Sequence, residues 1–181
     1  DHIKILGTVL TNKLSWTENC QLLVRKVNNR MQLLRKIWSF GSTHEEMVHL
    51  WIIYCRSVLE QSCVLWDSGL TIENKEDLER TQKSFTKLVL EEDYLNYSQA
   101  LEVLGLEKLE TRRKILTLRF AKSGIEDGIL HDLFPHRSKY HKMKTREEEH
   151  YKVTHAHTER FRNSPILTMQ RMLNTDIREN I

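Results

Sequence analysis

The residues best suited to chemistry lie between Gln21 and Lys36. Gln21, Arg25, Asn28, Asn29, Gln32, Arg35 and Lys36 recur at helical spacing, with Lys26 and Arg30 flanking them. No acid interrupts the stretch from Glu18 to Glu45. A solvated helix face ordinarily mixes its charges, because opposite signs four residues apart stabilise each other. A face of one sign suits phosphate contacts, with the Asn and Gln amides reaching sugars. The plain alternative is an ordinary solvated face.

Other candidates are sparse. His155-x-His157 is a two-histidine pair. A structural or catalytic metal needs more ligands than that, and no cysteine or suitably spaced carboxylate joins it. Metal and catalytic residues are therefore assigned as none. Cys55 and Ser57 are nucleophile types, but they lie in the apolar stretch Met47–Trp66 and read as structural. There is no Gly-rich phosphate loop, nucleophile elbow, HExxH or adjacent pair of aspartates. With 29% charged residues and a net charge of +3, histone-like basicity is excluded, and nucleic-acid binding must rest on a local patch.

The elements that must carry the patch are helical, since the chain has only two prolines and six glycines. Ile3, Ile5 and Val9, with Leu6 and Leu10, predict a short hairpin around Gly7. Ser15-x-x-Glu18 has capping-box spacing and opens the first helix. Its inner seam is Cys20, Val24, Val27, Met31, Leu34 and Trp38. Ser42-Thr43-His44-Glu45 offers a second capping box, followed by a continuous central helix through Trp66. That helix reads as buried nearly all round, except for the stripe His49, Arg56 and Glu60.

A third helix starts near Glu73 with an inner stripe of Leu78, Gln82, Phe85 and Val89, its charges reading as structural. A fourth runs from Ser98 to Leu104. A fifth, from about Glu107 to Lys122, packs Leu109, Leu116 and Phe120 and turns Arg112, Arg113, Lys114 and Arg119 outward. Gly41, Gly69, Gly105, Gly124 and Gly128 are expected between elements. After Phe134-Pro135 a basic, His-rich tail is expected, ending in a short helix from Ser164-Pro165 to Leu173.

The expected fold class is thus mainly α. It is a bundle of about five helices with a short N-terminal β-hairpin and an irregular basic C-terminal tail. The expected domains are 1–12 (hairpin), 13–134 (helical) and 135–181 (tail). Three cysteines (Cys20, Cys55, Cys63) form no metal pattern and fit a reducing compartment. No signal peptide or membrane span is visible, so a nuclear or cytoplasmic, non-secreted chain is expected. The opening DHIKILGTVL reads as part of something longer.

Five phrases in order resemble the C-terminal end of the reverse transcriptase of non-LTR (LINE-type, jockey-like) retrotransposons. They are Lys4-Ile5-Leu6-Gly7, Leu14-Ser15-Trp16 and Leu33-Leu34-Arg35-Lys36, then Tyr54 with Arg56 to Glu60 and Trp66, and finally Leu78-Glu79-Arg80 with Gln82. Leu101 to Arg113 and Lys152 to Leu173 resemble later parts of such open reading frames. The sequence departs at Ile5, Ser57 and Gln61, where the family carries an aromatic, a proline and a tyrosine.

The resemblance implies a thumb-like helical domain preceded by a primer-grip-like hairpin at Ile5, Leu6 and Gly7. The implied partners are an RNA/DNA or DNA duplex, and the upstream palm and fingers of the same polyprotein. Contacts would come from Arg25, Lys26, Asn29, Arg30, Gln32, Arg35 and Lys36. The family's catalytic aspartates, and the two Mg²⁺ ions they hold, belong to the palm upstream. The chain by itself is therefore expected to hold no cofactor and to be inactive as a polymerase. A reading from another class is a standalone helical protein-interaction module without nucleic-acid function, docking through its apolar seam and C-terminal helix.

Overall fold

The computed structural model describes residues 2–13, 15–136 and 150–179, with backbone alone for 178 and 179. It is mainly helical, with one two-stranded antiparallel sheet. The chain divides into two compact units. One comprises Asp1–Cys63 and Leu70–Arg113, the other Val64–Gly69 and Lys114–Ile181.

The first unit begins with β1 (His2–Ile5) and β2 (Thr8–Thr11), paired from His2 opposite Thr11 to Ile5 opposite Thr8. Leu6 and Gly7 form the turn with φ of 47° and 85°. Two consecutive positive φ values match the right-handed strand twist of a tight hairpin. Leu6 is a costly residue there, since a side chain in this region meets its own backbone. The Gln61 amide donates to the Leu6 carbonyl at 3.1 Å and would stand only 2.9 Å from a Cβ on Gly7. The Asn19 side chain accepts from the Val9 amide at 3.0 Å and ties β2 to the first helix.

Helix α1 (Thr17–Ser39) comes next. Its acid lies in the first turn (Glu18) and its base in the last (Lys36), as the helix dipole favours. The buried stripe is Asn19, Cys20, Leu23, Val27, Met31 and Leu34. Val24 and Trp38, expected in the seam, are only half-buried. At 3.6 residues per turn Leu23 falls between Cys20 and Val27 and takes the inner place. Trp38 turns aside to donate to Glu91 at 2.6 Å and to stack on His44. The expected Ser15 capping box is not formed. Trp16 stands at the cap with no side-chain bond, and Ser15 is occupied with Thr11 and Thr17.

The second capping box exists one residue later than its spacing suggested. Thr43 accepts from the Glu46 amide, and Glu46 reaches back to the Thr43 amide at 2.8 Å. These bonds hold the Glu46 carboxyl below its ordinary pKa. They open α2 (His44–Leu50).

The continuous central helix does not survive. After α2 come a π-helical turn (Trp51–Arg56), α3 (Ser57–Glu60), a break at Ser62 with φ 53°, and α4 (Cys63–Trp66). A π turn takes an extra residue and rotates the later turns of the helix about its axis. Side chains from this apolar stretch therefore reach the surface at Ile53, Tyr54 and Leu65. Trp51 still stacks on Phe85 at 4.7 Å between ring centres, both fully buried.

Helix α5 (Ile72–Leu90), capped by Thr71, packs on α1 and buries Leu78, Phe85 and Val89. Helix α6 (Tyr97–Val103) is capped by Asn96 rather than Ser98. Helix α7 (Leu109–Glu126) extends past the expected Lys122 and encloses Gly124. A side chain at Gly124 would run into Leu130, whose amide donates back to the Gly124 carbonyl at 2.8 Å. Arg113, expected outward, is fully buried, whereas Phe120, expected inward, is 48% exposed.

In the second unit Ala121, Phe134, Met169 and Leu173 form a small core, with Val64, Leu118, Ile125, Leu130 and Tyr151 against it. After a single turn, α8 (Glu159–Arg162), comes α9 (Pro165–Glu179), longer than the expected stop at Leu173. Asn174 brackets Tyr151, accepting from its amide at 2.7 Å and donating to its carbonyl at 3.0 Å. The Gln170 amide donates to the Leu133 carbonyl at 2.8 Å, and Lys122 pairs with Asp176 at 2.7 Å. Most of the expected basic tail, Arg137 to Glu149, lies outside the described residues, as does Leu14.

Candidate nucleic-acid interface

The buried stripe of α1 fixes which residues it shows to solvent. Arg25, Asn29, Gln32 and Lys36 fall within about 60° of one another around the axis, opposite Val27 and Leu34. All four are exposed, as are Gln21, Asn28 and Arg35. Arg25 to Lys36 spans about 16 Å of helix, or about five base steps along a duplex axis. Among the described residues, Arg25, Lys26, Arg35 and Lys36 have no carboxylate partner. The row is thus a set of uncommitted cations on a rigid rod, anchored from behind by α5.

Arg30 differs from its neighbours. It lies at the flank of the row, and its guanidinium sits over the Tyr54 ring, 4.5 Å from the centre. It also donates to the Tyr54 carbonyl. Arg30 therefore joins α1 to the π-helical turn and is partly spent on that task. Spacing alone placed it among the ligand contacts, because its partner lies 24 residues away.

Ile5, Leu6 and Gly7, the residues expected to be primer-grip-like, sit at the hairpin tip. Ile5 and Leu6 are exposed, Leu6 at 89%. The tip is tied to Gln61 at the end of α3, so the two groups of expected site residues are positioned by different elements.

The structure explains other polar residues as framework. Gln82 is fully buried and bridges Trp51, Tyr97 and Glu107. It accepts from the Trp51 indole at 3.2 Å and donates to the Tyr97 hydroxyl at 3.1 Å and the Glu107 carbonyl at 2.9 Å. Tyr97 donates to Glu79, whose carboxylate also receives the first amide of α7, Leu109, at 3.2 Å. Burial and the Glu79 carboxylate push the Tyr97 hydroxyl pKa far up.

Glu60 binds Arg112 through two oxygens at 2.8 and 3.4 Å, with Arg56 at 3.6 Å. Glu107 adds a contact to Arg112 at 3.5 Å. The charges of the Arg56–Glu60 stripe are therefore paired in the fold. The sequence showed Arg56 and Glu60 on one stripe but not Arg112, which lies 52 residues from Glu60.

The three cysteines are buried and form no disulfide. Burial pushes the Cys20 and Cys55 thiols up to about 11, which removes them as nucleophiles near neutrality. His155 and His157 meet edge to face at 4.7 Å, and among the described residues no cluster of three metal-ligating side chains occurs. No helix among the described residues is long and apolar enough to cross a membrane. Compared with known proteins, the chain matches no family model, no curated sequence and no solved structure.

Proposed function

We propose that the chain grips an RNA/DNA or DNA duplex through phosphates and sugars along α1, as a non-catalytic part of a non-LTR retrotransposon reverse transcriptase. The observation that carries the reading is the row Arg25, Asn29, Gln32 and Lys36 on the exposed face of one helix, its two cations without a carboxylate partner among the described residues and Arg35 and Lys26 at its opposite edges. The ordered phrases from Lys4 to Gln82 support the family assignment. In this reading the cations meet phosphates and the two amides meet sugars, without reading bases. The catalytic metal chemistry belongs to the upstream palm and the duplex grip to this chain. The upstream palm and fingers are its partners in the same polyprotein.

The test is binding of a mixed-sequence RNA/DNA duplex across a salt series. The reading predicts affinity that falls steeply with salt and is the same for unrelated sequences. Absence of binding at low salt, with association to itself or another protein instead, would support the protein-interaction module.

A further inference from the structure

The π-helical turn lays an apolar step beside the cation row. Tyr54 is 38% exposed and Ile53 is 72% exposed, in a stretch that also carries the fully buried Trp51 and Leu59. Leu33, on the Arg30 flank of α1, is 46% exposed. Arg30 fixes the arrangement, since it stacks on the Tyr54 ring and bonds the Tyr54 carbonyl. A guanidinium layered on an aromatic ring is a flat, delocalised platform whose side chains are already ordered.

Duplex phosphates have no use for such a surface. Unpaired bases do, since each base has a π-face whatever its identity, and aromatic stacking holds single strands without reading sequence. We infer that Tyr54, backed by Arg30 and flanked by Ile53 and Leu33, stacks an unpaired base next to the duplex held by the α1 row. The preferred ligand is then a duplex–single-strand junction rather than a continuous duplex. The inference rests on the duplex-grip reading and adds a second, uncharged contact to it. Arg30 becomes a positioning residue that holds Tyr54.

The experiment compares two probes with the full chain. Both are the same RNA/DNA duplex with a single-stranded overhang, carrying bases in one probe and abasic sites in the other. The phosphates are identical, so only base stacking differs. The expected result is about tenfold tighter binding of the base-bearing overhang, with equal salt slopes for both probes. Tyr54→Ala loses the difference while keeping the abasic affinity, and Tyr54→Phe retains it. Ile53→Ser, at a largely exposed position, narrows it without touching the Arg30 contact.

Equal wild-type binding of the two probes overturns the inference and leaves the duplex grip standing. A base preference that persists in Tyr54→Ala overturns it too. Failure to bind either probe at low salt removes the duplex grip and the inference with it.

Discussion

Two polar regions of the first unit contrast sharply. Around Gln82 every polar group is answered within the fold. Trp51, Tyr97, Glu79 and the Glu107 carbonyl close a buried network that also caps α7. Along the outer face of α1, Arg25, Arg35 and Lys36 are exposed without a carboxylate partner among the described residues. Both regions read as polar helix in the sequence. The first spends its polarity on holding α5, α6 and α7 together, and the second leaves it available to a ligand. Charge is therefore informative only once its partners are known.

The contrast can be broken first at Gln82. Replacing it by Ala should destabilise the fold by about 3 kcal/mol, because it leaves a cavity, strands the Trp51 indole donor and removes the amide that donates to the Tyr97 hydroxyl and the Glu107 carbonyl. Denaturant unfolding would show this, and a loss below about 1 kcal/mol would mean the network is not structural. Glu60→Ala should cost about 2 kcal/mol, since Arg112 and Arg56 then lose the carboxylate between them. By contrast, Arg25→Ala with Lys36→Ala should leave stability within about 0.5 kcal/mol, as expected for surface positions. A larger loss would place those bases in the framework and erase the distinction.

The same logic separates the two capping sequences. Thr43→Ala removes a formed box and should cost about 1 kcal/mol. Ser15→Ala removes none from the cap of α1 and should cost a few tenths of a kcal/mol at most. Titration offers a further handle, which acts only at alkaline pH. Unfolded thiols ionise near pH 8.5, whereas Cys20 and Cys55 in the fold stay protonated to about 11. The folded pKa is raised, so the stabilisation is complete below about pH 8.5 and is lost as pH rises toward 11. Cys55→Ala should flatten that alkaline decline, and an unchanged decline would exclude the Cys55 thiol as its cause.

Much of the fold was legible because it obeys local rules. The hairpin around Gly7, the inner stripe of α5 and the outward face of α1 follow from periodicity and turn chemistry. Failures came where distant partners decide. The central stretch looked like one buried helix, yet the π turn at Trp51 and the left-handed Ser62 divide it and expose Tyr54. Arg113 looked like a surface base by its neighbours Arg112 and Lys114, and packing buries it. Gly124 looked like a helix stop, whereas its missing side chain makes room for Leu130. At the candidate site the spacing located Arg25 and Lys36, but nothing local reveals that Arg30 is tied to Tyr54.

The most direct test of the account is the salt dependence of RNA/DNA duplex binding, measured for the wild type and for Arg25→Ala with Lys36→Ala. Each phosphate released lowers the slope of log affinity against log salt by about 0.9. The account predicts a slope smaller by about 2 in the double variant, equally for unrelated duplex sequences, with the fold intact. An unchanged slope in a folded variant would contradict it, because phosphates would then be held somewhere other than the open face of α1.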